Sequence, residues 1–288
     1  MDTTPNFERY TVVWICSQVA VRTAAIRILD DKHGSAMIFP DGDDESCVLG
    51  VISGFHVVIT GIPQPDDGPE TSAFAIMTRM RASFPNIEFG MLICTGGGVP
   101  GNTGNGTIQL GDVVVSRPSD GHSGALLYDA GKARAGRFEC TGFLPEPPES
   151  VLTAAEELTA KCNKGENSSP LREGIMKVGS TEVSRQECYY LNQYQNQHPS
   201  IHRVNSKPRI AIHRGTVASG ELEIQSAPIR DRLAENYQIL SFEMGQPHTF
   251  RIFLALLSKG LHITATLRSQ MACTRIRWRW QFPMEDNY

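Results

Sequence analysis

Phe89 to Gly101 reads FGMLICTGGGVPG, and the reading of this stretch decides the fold. The apolar run Met91-Leu92-Ile93-Cys94 is short and stops at Thr95, followed at once by Gly96, Gly97 and Gly98. A short continuous apolar run closed by a turn signal is how a strand covered on both faces reads. Glycines directly beyond such a strand let the backbone approach a ligand closely, with N–H groups turned toward anionic or polar oxygens. In open α/β sheets, ligands bind outside the carboxyl ends of the strands.

Gly96, Gly98 and Gly101 also satisfy G-x-G-x-x-G. The dinucleotide fingerprint needs a helix that opens inside the motif. Here Val99-Pro100 follows, then Gly101-Asn102-Thr103-Gly104-Asn105-Gly106, with no helical period. A dinucleotide site is therefore not expected, and a glycine turn without a ligand stays open as an alternative. H-E-x-x-H, G-x-S-x-G and the P-loop pattern are all missing. Asp120-Gly121-His122-Ser123-Gly124 lacks the strand-turn-helix context of a hydrolase nucleophile.

Outward from this centre, the pattern alternates. Tyr10 to Cys16 is β-branched and aromatic, a strand. It is also the better reading of Thr11 to Val21 than a signal peptide, because the preceding flank carries Asp2, Glu8 and Arg9. Val19 to Leu29 has helical spacing and runs down at Gly34. Asp41 to Glu45 is an acidic loop. Cys47–Ile52 and Phe55–Ile62 form a hairpin about Ser53-Gly54. Thr71 to Phe84 reads as a helix capped near Thr71 or Ser72, and Ile108 to Ser116 as another buried strand. Residues 117–148 read as a long loop rich in glycine and proline, and Val151 to Cys162 as an amphipathic helix. Residues 163–208 are polar and read as a flexible insertion. Arg209–Ala218 and Tyr237–Met244 are strands, and Ile229–Asn236 a short helix. Alternating strands and helices give an α/β sheet.

The chain has 288 residues and a formal net charge of −4, which gives no general reason to expect nucleic acid as a partner. Its seven cysteines are odd in number, scattered, and without a C-x-x-C pair. They read as reduced thiols in the cytoplasm, with neither a disulfide frame nor a metal site. No stretch reaches the length of a membrane-spanning helix, so no membrane is expected.

LICTGGGVP, IQLGDVVVS, VASG, and RDRLA followed by LSFEM resemble the nucleoside phosphorylase / nucleosidase superfamily. WIC near the start, SFPNIEFG before the glycines and YDAGKARAGRFECTGFL after them are similar to the fungal version found in NACHT- or ankyrin-containing, NLR-like proteins. The resemblance runs from about Tyr10 to Met244. It implies a three-layer phosphorylase-type α/β fold with a central twisted mixed sheet flanked by helices. It also implies binding of a purine nucleoside or nucleotide and cleavage of its N-glycosidic bond, without a cofactor, with phosphate or water as co-substrate. A homo-oligomer is compatible with it. Thr95, Gly96, Gly97 and Gly98 would face the phosphate or water. Glu243 and Met244 would lie along the ribose, and Ser219 and Gly220 would line the base pocket.

Four departures from the family bear on chemistry. Leu92 stands where phosphorylases often carry an arginine, so hydrolysis is favoured over phosphorolysis. Val21 stands in place of a carboxylate in the first strand-to-helix turn. Gly245 replaces the second glutamate of F-E-M-E. The nearest equivalent of the final strand, Lys259-Gly260-Leu261-His262-Ile263-Thr264, puts Ile263 at the place of the acid that protonates the base, with His262 beside it as a candidate donor.

Residues 1–244 thus read as the phosphorylase-like domain and 245–288 as a divergent basic tail. In the tail, Ile276, Trp278 and Trp280 alternate with arginines, and an altered reading frame or retained intron after Phe242-Glu243-Met244 would produce the abrupt change. Two functions follow: a nucleosidase-like enzyme of impaired activity, or a non-catalytic nucleoside- or nucleotide-binding module.

Overall fold

The computed structural model describes residues 6–16, 19–37, 46–61, 80–99, 102–104, 106–108, 112–119, 121–135, 137–144, 146–164, 211–220, 222, 224, 226–244 and 262–267. The acidic loop, most of the helix expected over 71–84, the insertion apart from 163–164, and the tail apart from 262–267 lie outside them.

β1 (Val12–Cys16) leads into α1 (Val19–Arg27), and the chain continues through β2 (Asp31–Met37), β3 (Ser46–Ile52) and β4 (Phe55–Gly61). β5 (Phe89–Thr95) is the strand expected before the glycines, and past Gly96 the chain resumes as β6 (Gly97–Gly98). A small hairpin of β7 (Asn102–Thr103) and β8 (Gly106–Thr107) precedes β9 (Val113–Ser116), β10 (Ala125–Arg134) and β11 (Arg137–Phe143). Then come α2 (Glu149–Lys164), β12 (Ile212–Gly220), α3 (Ala227–Tyr237), β13 (Ile239–Met244) and β14 (His262–Leu267).

Local chemistry sets these boundaries. Ser53 and Gly54 both take positive φ, 49° and 86°, between the paired Ile52 and Phe55. A two-residue turn of that kind matches the twist of the flanking strands. α3 starts with a proline in its first turn and stops at Gln238, whose left-handed backbone donates its N–H to the Ala234 carbonyl.

Among the described residues, twelve strands join one mixed sheet in the order β11-β10-β12-β9-β14-β5-β1-β4-β3-β2, with β13 on β12 and β6 on β13. β1 lies parallel between β4 and β5. Val12, Val13, Ile15 and Cys16 of β1 are all buried, as expected of a strand covered on both faces. One face packs with Leu92, Val58 and Leu127, the other with Val21 and Ala25 of α1.

β6 pairs antiparallel with β13, Gly97 opposite Phe242 and Gly98 opposite Ser241. Because β6 continues β5 beyond the single residue Gly96, the ring β5-β14-β9-β12-β13-β6 closes on itself. A ring of this kind carries a large stagger between its strands. Here it brings the carboxyl end of β13 beside the carboxyl end of β5, although β12 and β5 run in opposite senses.

Three expectations are corrected. Gly34 does not end a helix; α1 stops at Arg27, and Gly34 sits at a register shift inside β2. The stretch 117–148 is not a long loop: β10 and β11 form an antiparallel ribbon within it. Only the first four residues of β10 are buried, so the exposed half shows no apolar alternation to read. The boundary at 244 does not bound the sheet either. Within the stretch read as a tail, His262–Leu267 is a strand between β5 and β9.

Candidate functional site

β12 and β13 run parallel and finish together, Ser219 beside Glu243 and Gly220 beside Met244. Neighbouring positions on paired strands point their side chains to one face. The Ser219 hydroxyl donates to the Glu243 carboxylate at 2.6 Å, and both residues are buried, 0% and 3% exposed. Burial pushes the Glu243 carboxyl above its ordinary value, and the Ser219 hydrogen bond pulls part of that shift back. A buried carboxylate costs free energy unless it is hydrogen-bonded, so this pair is an arrangement the fold has to sustain.

The glycine segment reaches the same place. Gly97 and Gly98 pair with Phe242 and Ser241, and the Val99 N–H donates to the Leu240 carbonyl at 2.9 Å. Gly96 links this pairing to Thr95 at the end of β5. Gly97 and Gly98 thus pair with the strand that carries Glu243, and Ser219 and Gly220 lie beside Glu243 and Met244 on β12.

Gly220 has a packing reason. A Cβ there would lie 2.4 Å from Tyr128 Cζ. The Tyr128 hydroxyl donates to the Leu222 carbonyl, and its ring meets Phe242 edge-on at 5.5 Å. The Leu222 N–H in turn faces Asp129 Oδ2 at 3.4 Å. β10 thus holds the segment that follows Gly220. Tyr128 and Asp129 open the stretch YDAGKARAGRFECTGFL, whose sequence pattern does not mark them as neighbours of Gly220.

His262 does not join the group. β14 is parallel to β5, with His262 level with Gly90 and Leu267 level with Thr95. His262 is thus five residues, ~16 Å along the strand, below the glycine turn. Ile263 is level with Met91. The residue that reaches the level of Thr95 is Leu267, which has no proton to give.

Among the described residues, no group of three or more histidine, cysteine, aspartate or glutamate side chains could hold a metal ion. None of their helices is long and apolar enough to cross a membrane.

No family model matches the chain. A nucleotide-binding leucine-rich repeat (NLR)-like protein of Hyaloscypha variabilis is 31% identical over 266 residues, 88% of this chain but 26% of that protein's length. Solved structures share the fold. A putative 5'-methylthioadenosine/S-adenosylhomocysteine nucleosidase from Borrelia burgdorferi, bound to adenine, gives a TM-score of 0.55 at 16% identity, covering 88% of this chain and 84% of that one. The corresponding nucleosidase of Campylobacter jejuni gives 0.52 at 13% identity, covering 94% and 90%. Futalosine hydrolase of Helicobacter pylori gives 0.51 at 10% identity, covering 90% and 84%.

Proposed function

We propose that this chain, whose fold is that of the nucleoside phosphorylases and nucleosidases, binds a purine nucleoside or nucleotide between the β5–β6 glycine turn and the ends of β12 and β13. It cleaves the N-glycosidic bond slowly, with water as co-substrate. The observation that carries this reading is the buried Ser219–Glu243 pair at the strand ends where the glycine segment is hydrogen-bonded to β13.

The chemistry follows from the parts. Glycosidic cleavage passes through an oxocarbenium-like state, so the enzyme must hold the sugar rigidly while positive charge develops on it. Glu243 is the group to accept the ribose hydroxyls and to lie near that charge, and Ser219 fixes which carboxylate oxygen is offered. The base then leaves faster if a group protonates it. General acid catalysis contributes on the order of 10²–10⁴-fold, and the segment that resembles the family's final strand carries Ile263 in the acid's place. Slow turnover follows. The apolar Leu92 at the strand before the turn supports hydrolysis over phosphorolysis. The buried cysteines Cys16, Cys47, Cys94, Cys140 and Cys162 support a reducing, cytoplasmic location.

Incubation with adenosine, inosine or ATP, with and without phosphate, followed by chromatography of the free base, tests the reading. Slow base release, unchanged by phosphate and lost in Glu243→Ala, is the expected result. Release that survives Glu243→Ala removes Glu243 from the site.

A second reading keeps the site and drops the chemistry: a nucleoside- or nucleotide-binding module of an NLR-like protein. The relative of 31% identity favours it, as does Ile263 in the place of the acid. Saturable binding without base release would select it.

A further inference from the structure

His213 of β12 is fully buried, and each of its ring nitrogens meets a partner whose own protons can be placed. Nδ1 lies 2.7 Å from Thr103 Oγ1, and Thr103 Oγ1 lies 2.7 Å from the Gly106 carbonyl oxygen. A carbonyl only accepts, so the single hydroxyl proton of Thr103 goes to Gly106. Nδ1 is therefore the donor to Thr103. On the other side, Nε2 faces Asp112 Oδ2 at 3.1 Å. A carboxylate has no proton to give, and a neutral imidazole that carries its proton on Nδ1 has none on Nε2. One further proton must lie between Nε2 and Oδ2. An imidazolium beside a carboxylate supplies it, and so does a neutral imidazole beside a carboxylic acid.

The surroundings leave this proton to the cluster itself. Among the described residues, Asp112 is the charged group within ion-pair distance of His213. The hairpin stretch Asn102-Thr103-Gly104-Asn105-Gly106-Thr107 carries no titratable side chain. β9 sets Val114 beside His213, and Leu240 of β13 packs with Ile108, Val114 and Val217. Arg214, the next residue of β12, alternates to the opposite side of the strand. Asp112 is also buried, and its Oδ1 accepts the Ala211 N–H at 3.0 Å. Thr103 is half-buried and Gly104 and Gly106 are exposed, so the hairpin is the side on which the cluster meets water.

We propose that the chain Asp112–His213–Thr103–Gly106 is a proton-operated latch on the β7–β8 hairpin. With the extra proton in place, Nδ1–H donates to Thr103 and the Thr103 hydroxyl ties down the Gly106 carbonyl. When one proton leaves to water, Asp112 remains a carboxylate and keeps two donors, the Ala211 N–H and Nε2–H. Nδ1 is then bare and must accept. The Thr103 hydroxyl proton turns from Gly106 to Nδ1, and the Gly106 carbonyl is released. Histidine is the side chain whose charge changes near neutrality, and protonation of a buried histidine network is a known way to bias a two-state element. The hairpin lies on the path from the glycine turn to β9, so this proton sets how firmly that path is tied.

The test is nuclear magnetic resonance of the full chain, with nitrogen-labelled histidine for the ring and with carbonyl-labelled glycine plus nitrogen-labelled threonine for Gly106. The second labelling reports Gly-Thr steps alone, Gly106-Thr107 and Gly215-Thr216. As pH rises from about 5 to about 9, Nδ1 of His213 changes from proton-bearing to bare while Nε2 keeps its proton, and the Gly106 carbonyl shift moves with the same midpoint. Asp112→Asn turns its amide NH₂ toward Nε2, because its oxygen is held by the Ala211 N–H. Nδ1 then keeps its proton throughout, and neither signal shows a transition. Thr103→Val leaves the His213 titration visible and abolishes the Gly106 response. An Nδ1 that keeps its proton across the whole range in the wild type, or lacks it at the acid end, overturns the proposal. So does a Gly106 carbonyl that stays still while His213 titrates, or that still responds in Thr103→Val. If Asp112→Asn does not fold, the wild type and Thr103→Val decide between these outcomes. None of the readouts uses base release, so the latch is judged apart from the activity at Glu243.

Discussion

Ser219 and Glu243 meet across β12 and β13 with their oxygens 2.6 Å apart, both buried. This pair makes stability depend on pH in a defined direction. The folded Glu243 carboxyl holds its proton above the ordinary value of 4.5, mainly through burial. Between that value and the folded one, the native state binds more protons than the unfolded chain, so this contribution to stability falls as pH rises through the window. Glu243→Gln removes the effect. Urea denaturation from pH 4 to pH 8 should show the variant gaining on the wild type as pH rises. Ser219→Ala should act oppositely, costing about 1–3 kcal/mol at neutral pH, because the carboxylate loses its donor.

Gly220→Ala should destabilise by about 1–3 kcal/mol, as overpacking of a filled space does. The Tyr128 ring that the new Cβ meets cannot swing away freely, since its hydroxyl is bonded to the Leu222 carbonyl. Thermal melts of Gly220→Ala alone and with Tyr128→Leu check this, and the second change should recover part of the loss.

His213 is fully buried, with Nε2 at 3.1 Å from Asp112 Oδ2 and Nδ1 at 2.7 Å from Thr103 Oγ1. Asp112 Oδ1 also accepts the Ala211 N–H at 3.0 Å. The cluster ties the hairpin after the glycine turn to the starts of β9 and β12. His213→Ala leaves Asp112 buried without its imidazole and should cost about 3–5 kcal/mol. Thr103→Val, with less at stake, should cost about 1 kcal/mol. Chemical denaturation of both variants tests the order.

Cys16 should be inert in the native state. Burial pushes its thiol up to about 12, with the Arg22 charge acting the other way, so little thiolate exists to react. Disulfide-exchange reagents should modify Cys16, Cys47, Cys94, Cys140 and Cys162 only on unfolding. Mass spectrometry of the native, treated protein reads this directly.

The sequence was legible where burial leaves a pattern. β1, the hairpin of β3 and β4, β5, β12 and β13 are apolar runs bounded by turn residues, and the ends of β5, β12 and β13 carry Thr95, Ser219 and Glu243. It was illegible where strands are exposed or polar. β2 holds Lys32, His33 and Gly34, and the outer half of β10 is in solvent. The closure of the ring depends on pairing between Gly97 and Phe242, far apart in the chain, which no local pattern records. The height of His262 is likewise a matter of register: a motif can be aligned on a strand and still be several residues from the level at which the chemistry takes place.

The central claim is that Glu243, oriented by Ser219, grips the ribose of a purine nucleoside beside the glycine turn. Calorimetric titration of the protein with adenosine and with 2',3'-dideoxyadenosine measures this grip directly. Charge-assisted hydrogen bonds to the sugar hydroxyls predict that adenosine binds about tenfold or more tighter, and that Glu243→Ala erases the difference. Equal affinity for the two nucleosides, or no binding of either, contradicts the account.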